Sequence, residues 1–545
     1  MKCKYLLIMA LLVMSSAFAQ NPAVVKTSST VAVARPKLVI GIVVDQMRWD
    51  YLYRFANRYS QGGFRRLTGQ GFSCENTLIN YTPTITACGH SCVYTGSVPA
   101  IHGIVGNTWY DTALNRKMYC AEDSTVSGVG SNNKAGKMSP RNLLVTTIGD
   151  ELRLANKESK VIGVALKDRG AIMPAGHMAQ AAYWYDPGAG KWISSTYYMN
   201  ELPAWVNQFN DQKYPEQYLK QPWTTLYPLE SYTLSTEDDK PYEGRFPNTV
   251  NSSFPHTFKT PLANIASTPY GNTMTLEFAK QALVNYQLGK GKVTDLLTVS
   301  LSATDYVGHQ FGPNSIEAED TYLRLDKDLG DFFNYLDATL GKGNYLLFLT
   351  ADHGVAHVPG FLAENNIPAG SWSDKDLSVK INSLVQAAFG IKDVVVSTDN
   401  YQFWLNHAAI QQAGKNEKEV IDFITASLKR MPPIADALNL HELGSEALLE
   451  PMRTMVINGY NKKRGGDIQL IPQPGWVNGG ITGTTHGIWN PYDAHIPLVF
   501  MGWGIHPGHT NRLVGMTDIA PTIAALLHVQ MPSGNIGKVV EEITK

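Results

Sequence analysis

The chain has 545 residues, 44% hydrophobic and 17% charged, with a formal net charge of -1. That length holds one large α/β core with insertions, or two domains. The near-neutral balance excludes a nucleic-acid or anionic-membrane partner drawn by bulk charge, so an anionic substrate has to be gripped by a local site.

Taken in chain order, Lys2 and Lys4 precede an uncharged apolar run from Tyr5 to Phe18, and Ala17-Phe18-Ala19 has a small-x-small pattern before Gln20. Residues 1–19 therefore predict a secretory signal peptide, since the run is shorter than the roughly 20 residues of a spanning helix. The mature chain is expected in a periplasmic or extracellular space, as a monomer without stable membrane insertion. Cleavage leaves Cys74, Cys88, Cys92 and Cys120. Four cysteines allow three pairings. Buried thiols or a disulfide both fit better than metal ligation, because Cys88 and Cys92 stand i,i+4 apart rather than as CxxC.

Residues 20–36 are small and polar and read as a linker, followed by a catalytic α/β domain over 37–545. Its first element is the β-branched run Lys37 to Asp45, the pattern of a strand buried on both faces. Runs of the same character lie at Val161–Leu166, Leu296–Leu301, Tyr345–Thr350 and Ile496–Met501. Between them, Leu325, Leu329, Phe332, Leu336 and Leu340 recur at helical spacing and predict a helix from about Ile316 to Leu340. Strands alternating with helices predict a doubly wound, mostly parallel sheet. Two stretches depart from it. Residues 190–275 are rich in Trp, Tyr, Pro and Asn and read as an insertion or cap. Residues 390–480 read as a small α+β subdomain, with strand-like runs at Val394–Val396 and Ile468–Ile471 and a helix near Glu417 to Met431.

Ligands of open α/β sheets gather at the carboxyl ends of the strands. The first strand ends in Asp45, the third run leads into Asp305-Tyr-Val-Gly-His309, and the fourth ends in Asp352-His353-Gly354. His486 follows in Gly483-Thr-Thr-His-Gly487, before the last strand. Each residue alone has a plainer reading as a helix cap, a turn or an i,i+4 helical pair. Those readings must hold independently, whereas a metal site explains all six residues, and carboxylates with imidazoles suit zinc. Thr86, in Thr82-Pro-Thr84-Ile-Thr86-Ala-Cys-Gly-His90, opens a helix-compatible stretch. Its position fits a helix cap, and equally a hydroxyl activated by a helix N-terminus and a metal. Cys88 lies past the first turn and lacks an evident base.

Asp45, Thr86-Ala-Cys-Gly-His90, Asp305-Tyr-Val-Gly-His309, Asp352-His353-Gly354 and Thr485-His486 together resemble the alkaline phosphatase superfamily, nearest to its phosphate-irrepressible branch with a threonine nucleophile. The resemblance implies two Zn²⁺ ions. Asp305, His309 and His486 would hold one, and Asp45, Asp352, His353 and the Thr86 oxygen the other. It further implies that Asn107, in Gly106-Asn-Thr-Trp-Tyr110, donates to a phosphoryl oxygen; on local sequence alone Asn107 reads as a left-handed turn residue. The Lys-x-Arg pair of that branch stands here as Lys167-Asp168-Arg169. On an extended segment residues two apart point to one side, so both cations are expected at the rim.

Two Zn²⁺ ions against three carboxylates leave a formal charge of +1, suited to a dianionic phosphate. The implied reaction is in-line attack by the Thr86 oxygen, a phospho-threonine, and hydrolysis of that intermediate by two-metal chemistry. A monoester carries about two charges and a diester one, and Lys167 with Arg169 rewards the extra charge. Phosphate monoesters are the expected substrates. The alternatives are a phosphodiesterase or nucleotide pyrophosphatase of the same superfamily and, outside catalysis, an exported metal- or phosphate-binding protein. A sulfatase would need Cys-x-Pro-x-Arg, whereas Cys88 is followed by Gly-His-Ser-Cys.

Overall fold

The computed structural model describes residues 34–258, 261–444 and 446–544; the expected signal peptide and most of the linker lie outside them. The strands that matter for the site are β1 (Leu38–Val44), β2 (Phe72–Leu78), β3 (Val161–Ala165), β4 (Ala181–Asp186), β5 (Lys191–Ser195), β6 (Asp295–Leu301), β7 (Tyr345–Thr350) and β8 (Leu498–Gly502). The helices are α1 (Thr86–Thr95), α2 (Asp168–Ala175), α3 (Ala303–Phe311) and α4 (Ile316–Leu340). Among the described residues the central sheet has eleven strands. Five neighbours run parallel in the order β7-β1-β6-β3-β4, and every residue in them is buried. Burial on both faces is why β1, β3, β6 and β7 read as largely apolar runs rather than alternating ones, while β4 is Ala181-Ala-Tyr-Trp-Tyr-Asp186.

The sheet's flanks are antiparallel. Strand β8 lies antiparallel on β7, β2 antiparallel on β8, and β5 antiparallel beside β4. Helix α4 runs over the predicted span: the Ser315 hydroxyl accepts from the Ala318 N–H at 3.1 Å at its start, and Leu325, Leu329, Phe332, Leu336 and Leu340 are buried. Its Asp320 carboxylate, itself buried, ties down the stretch around 223–232 by accepting from the Trp223 indole at 2.7 Å, the Leu226 N–H at 2.6 Å and the Tyr232 hydroxyl.

A second sheet joins Val395–Asp399, Gln402–Leu405, Ile468–Pro472 and Ile434–Asn439, all antiparallel. With the helices Asp374–Phe389 and Glu417–Leu428 it encloses its own apolar cluster around Ile381, Phe403, Ile424 and Leu470. Cys74, Cys88, Cys92 and Cys120 are buried free thiols. Among the described residues no helix is long and apolar enough to cross a membrane.

Candidate active site

Register decides which side chains meet. Val44 of β1 pairs with Leu301 of β6, and Val43 with Thr350 of β7. Asp45, the start of α3 and Asp352 therefore emerge side by side at one rim. Asp305 and His309 sit one turn apart on α3, so the i,i+4 spacing is a helical pair that also serves the site. Ala165 of β3 pairs with Ser300, which brings Lys167 to the same rim.

The three histidines share one arrangement. His309 Nδ1 lies 2.8 Å from the Thr484 carbonyl, His486 Nδ1 2.8 Å from the Thr84 carbonyl, and His353 Nδ1 3.0 Å from the Gly354 carbonyl. A carbonyl only accepts, so each Nδ1 carries a proton and each neutral imidazole has its lone pair at Nε2. Those lone pairs face carboxylate oxygens. His309 and His486 Nε2 stand 3.2 and 3.6 Å from Asp305 Oδ1. His353 Nε2 stands 3.6 Å from Asp45 Oδ1, 3.4 Å from Asp352 Oδ2 and 3.4 Å from the Thr86 hydroxyl. Asp45 Oδ1 and Asp352 Oδ2 are buried and accept no hydrogen bond among the described residues. Lone pairs converging on lone pairs in a dry site repel unless a cation stands between them. The donor set thus fits metal ions, in two groups that share His353: Asp45, Asp352 and His353, and Asp305, His353 and His486.

Electrostatics agree. Burial, with the facing Asp352 carboxylate, pushes the Asp45 carboxyl well above its ordinary range. Burial acts the same way on Asp305, but His309 and Lys167 outweigh it and hold that carboxyl well below. Burial, reinforced by His353 and His309, keeps the His486 imidazole neutral.

Thr86 is the first residue of α1, buried, with Ile85 as the extended residue before it. Its side chain does not cap the helix; instead the Asn107 Oδ1 accepts the Ala87 N–H at 3.0 Å. Asn107 thereby satisfies an orphan donor of the helix start and keeps Nδ2 as the end to offer a ligand. Its φ is not positive, so it is not a left-handed turn residue.

The sequence of type I phosphodiesterases and nucleotide pyrophosphatases, taken as a family, matches residues 39–490. Alkaline phosphatase PhoV of Synechococcus elongatus is 54% identical over 100% of both chains. A protein of Myroides odoratus named calcium-transporting ATPase is 53% identical over 93% of this chain and 94% of its own. The crystal structure of alkaline phosphatase PafA is 48% identical, covers 94% of this chain and 99% of its own, and superposes with a TM-score of 0.91. The chain belongs to the alkaline phosphatase superfamily. Within it the chain is an alkaline phosphatase of the phosphate-irrepressible type.

Against that family the lysine-arginine pair needs a correction. The segment is not extended throughout: Lys167 precedes α2 and Arg169 already lies in its first turn, and the two side chains find different partners. Lys167 Nζ bridges Asp45 Oδ2 at 2.7 Å and Asp305 Oδ2 at 2.5 Å. Arg169 Nη1 donates to the Tyr119 hydroxyl at 3.2 Å, and that hydroxyl donates to Asp168.

Three supporting residues had no role in the sequence reading. Gln46 donates from its backbone to Asp352 Oδ1 at 3.1 Å and from Nε2 to Asp305 Oδ1 at 2.7 Å. His90, four residues after Thr86, places Nδ1 2.9 Å from the Thr86 carbonyl and 3.2 Å from Asp352 Oδ2. The i,i+4 spacing within Thr86–His90 was a usable signal for His90. Adjacency to Asp45 was the only signal for Gln46. Tyr119, which holds Arg169, had none.

Proposed function

We propose that this alkaline phosphatase releases inorganic phosphate from phosphate monoesters at a two-zinc site, through a phospho-threonine on Thr86. The observation that carries the reading is the convergence of bare imidazole nitrogens and unpartnered carboxylate oxygens beside the Thr86 hydroxyl. Asp305, His309 and His486 would hold one zinc, and Asp45, Asp352, His353 and the Thr86 oxygen the other. When bound, the two ions supply Lewis-acid charge compensation at the phosphoryl and leaving oxygens. The remaining work falls to side chains. Thr86 Oγ1 attacks phosphorus in line as the bond to the leaving alcohol breaks, and water then cleaves the phospho-threonine, restoring the hydroxyl.

Asn107 Nδ2 donates to a phosphoryl oxygen while its Oδ1 stays on the Ala87 N–H. Lys167 Nζ holds Asp45 Oδ2 and Asp305 Oδ2, the oxygens opposite those that face the imidazoles, so cations drawing on the same two carboxylates would weaken its hold and leave the ammonium available to the substrate. Arg169 offers its fork from a guanidinium steadied by Tyr119. Support for these assignments comes from a solved PafA variant, 47% identical, that is substituted at one threonine, one asparagine, one lysine and one arginine. The same residue types stand here as Thr86, Asn107, Lys167 and Arg169.

The family match to phosphodiesterases favours diester cleavage as a second reading. Rates on matched aryl phosphate monoester and diester substrates, with zinc added or chelated, separate the two. ATP belongs in the same series, because one relative is named an ATPase. Monoester preference, abolished by chelator and restored by zinc, is the expected result. Diester preference would overturn the substrate assignment, and insensitivity to chelation would overturn the metal assignment. Export is part of the same proposal, and the mature chain should begin at Gln20.

A further inference from the structure

Asn400 and Tyr401 are consecutive non-glycine residues with φ of 56° and 60°. They form the turn between Val395–Asp399 and Gln402–Leu405 of the second sheet, where Asp399 pairs directly with Gln402. A two-residue hairpin of this kind needs positive φ at both central positions and favours Asn followed by Gly. A tyrosine at the second position is unfavourable for the turn taken alone. Backbone strain of this sort persists where the surroundings impose it, often at functional sites. Here both side chains reach the active site.

Asn400 Nδ2 donates to the Thr108 carbonyl at 2.7 Å, one residue beyond Asn107. Its amide presses on Gly106, where any Cβ would fall 2.2 Å away, so the contact requires glycine just before Asn107. The Tyr401 hydroxyl donates to the carbonyl of His486 at 2.9 Å. Its ring covers Gly487, where a Cβ would come within 2.5 Å of Cε2. The turn is itself anchored. Asp399 pairs with Lys117 at 2.8 Å, on the hairpin that follows Asn107, and the Tyr401 carbonyl accepts from Gln469 Nε2 at 3.0 Å. Tyr401 is buried with the apolar cluster of the second sheet. One turn therefore touches the backbone on both sides of a proposed phosphate-binding residue, at Gly106 and Thr108, and the carbonyl of a proposed metal-binding residue, His486, in separate parts of the chain.

We propose that Asn400 and Tyr401 are positioning residues, by which the second sheet fixes Asn107 against the phosphoryl group and His486 on its metal. The inference rests on the roles given above to those two residues. The held His486 carbonyl restricts rotation of a peptide that carries its imidazole, and the contacts at Gly106 and Thr108 bracket Asn107, which is how a supporting shell acts on metal retention and on rate.

The test uses the full-length, zinc-loaded enzyme. Asn400→Gly keeps a residue suited to positive φ and deletes the donor, so the melting temperature should hold while kcat/KM on an aryl phosphate falls about tenfold. In an Asn107→Ala background the same substitution should cost no more than about twofold, because the group it positions is gone. Tyr401→Phe keeps the ring over Gly487 and deletes the hydroxyl. Zinc release to a chromophoric chelator should then quicken about tenfold, whereas Asn400→Gly leaves that release rate at its wild-type value. Equal cost of Asn400→Gly with and without Asn107, or no cost at all, overturns the inference for Asn400. Wild-type zinc release in Tyr401→Phe overturns it for Tyr401. If Asn107→Ala alone leaves kcat/KM unchanged, the phosphate-donor role of Asn107 has failed, and this result is distinct from either of the others.

Discussion

Replacing Gln46 by alanine should loosen the metal site through a single lost hydrogen bond. The backbone bond from Gln46 to Asp352 survives the substitution, while the 2.7 Å bond from Nε2 to Asp305 Oδ1 does not. Asp305 Oδ1 is the oxygen that faces both His309 at 3.2 Å and His486 at 3.6 Å, so its direction matters to one proposed zinc. A hydrogen bond to a charged group is worth about 1.5–3 kcal/mol, which converts to a loss of roughly 10- to 150-fold in zinc affinity. Gln46 already sits at φ 67°, so alanine adds no backbone strain that glutamine lacks. Competition against a chromophoric chelator gives the affinity, and kcat at saturating zinc should change much less. Gly308→Ala approaches the same bond from the other side, since its Cβ would stand 1.8 Å from Gln46 Oε1. Wild-type zinc affinity in both variants would refute the argument.

Removing Lys167 and Arg169 together should cut monoester turnover at least about tenfold more than diester turnover, since the pair acts on the extra charge; equal losses in the two assays would count against it. Stripping zinc should lower the melting temperature markedly, because the buried Asp45 carboxylate is then left with the Lys167 ammonium that it shares with Asp305, and calorimetry with and without chelator reads this directly. Burial holds His102 down at about 3 and His256 at about 4. Their folded values lie below the unfolded one, so the stability they contribute is complete above about pH 6.5 and is lost as pH falls toward those values. Between pH 6.5 and 5 the two together should lose up to about 4 kcal/mol, read from urea unfolding, and His256→Gln should roughly halve that slope.

The parallel core was legible because burial on both faces leaves a plain mark. The runs at β1, β3, β6 and β7 are mostly apolar and buried throughout, and three of them end in or lead to aspartates that carry no packing value. Direction left no such mark. The run at β8 has the same character and yet pairs antiparallel to β7, because an apolar stretch reads alike in both senses. At Lys167–Arg169 the extended reading failed for a local reason. The chain passes from β3 into α2 within two residues, so a period of two gave way to helical geometry before Arg169. Gln46 was invisible because its role depends on a left-handed backbone that nothing in Asp45-Gln46-Met47 announces.

The deeper division is between ligand supply and ligand orientation. Supply is local: Asp305 with His309, Asp352 with His353, and His486 in its Thr-Thr-His-Gly loop can each be read within a few residues. Orientation is remote. The His486 tautomer is fixed by the carbonyl of Thr84, which lies 402 positions away, and the His309 tautomer by that of Thr484, 175 away. Without those carbonyls an imidazole could present either nitrogen, and the same residues would form a hydrogen-bonded cluster instead of a metal site. The proposed activity therefore depends on the loops holding Thr84 and Thr484 as much as on the ligands. Substitutions that shift either loop should weaken zinc binding while all six ligand side chains remain in place.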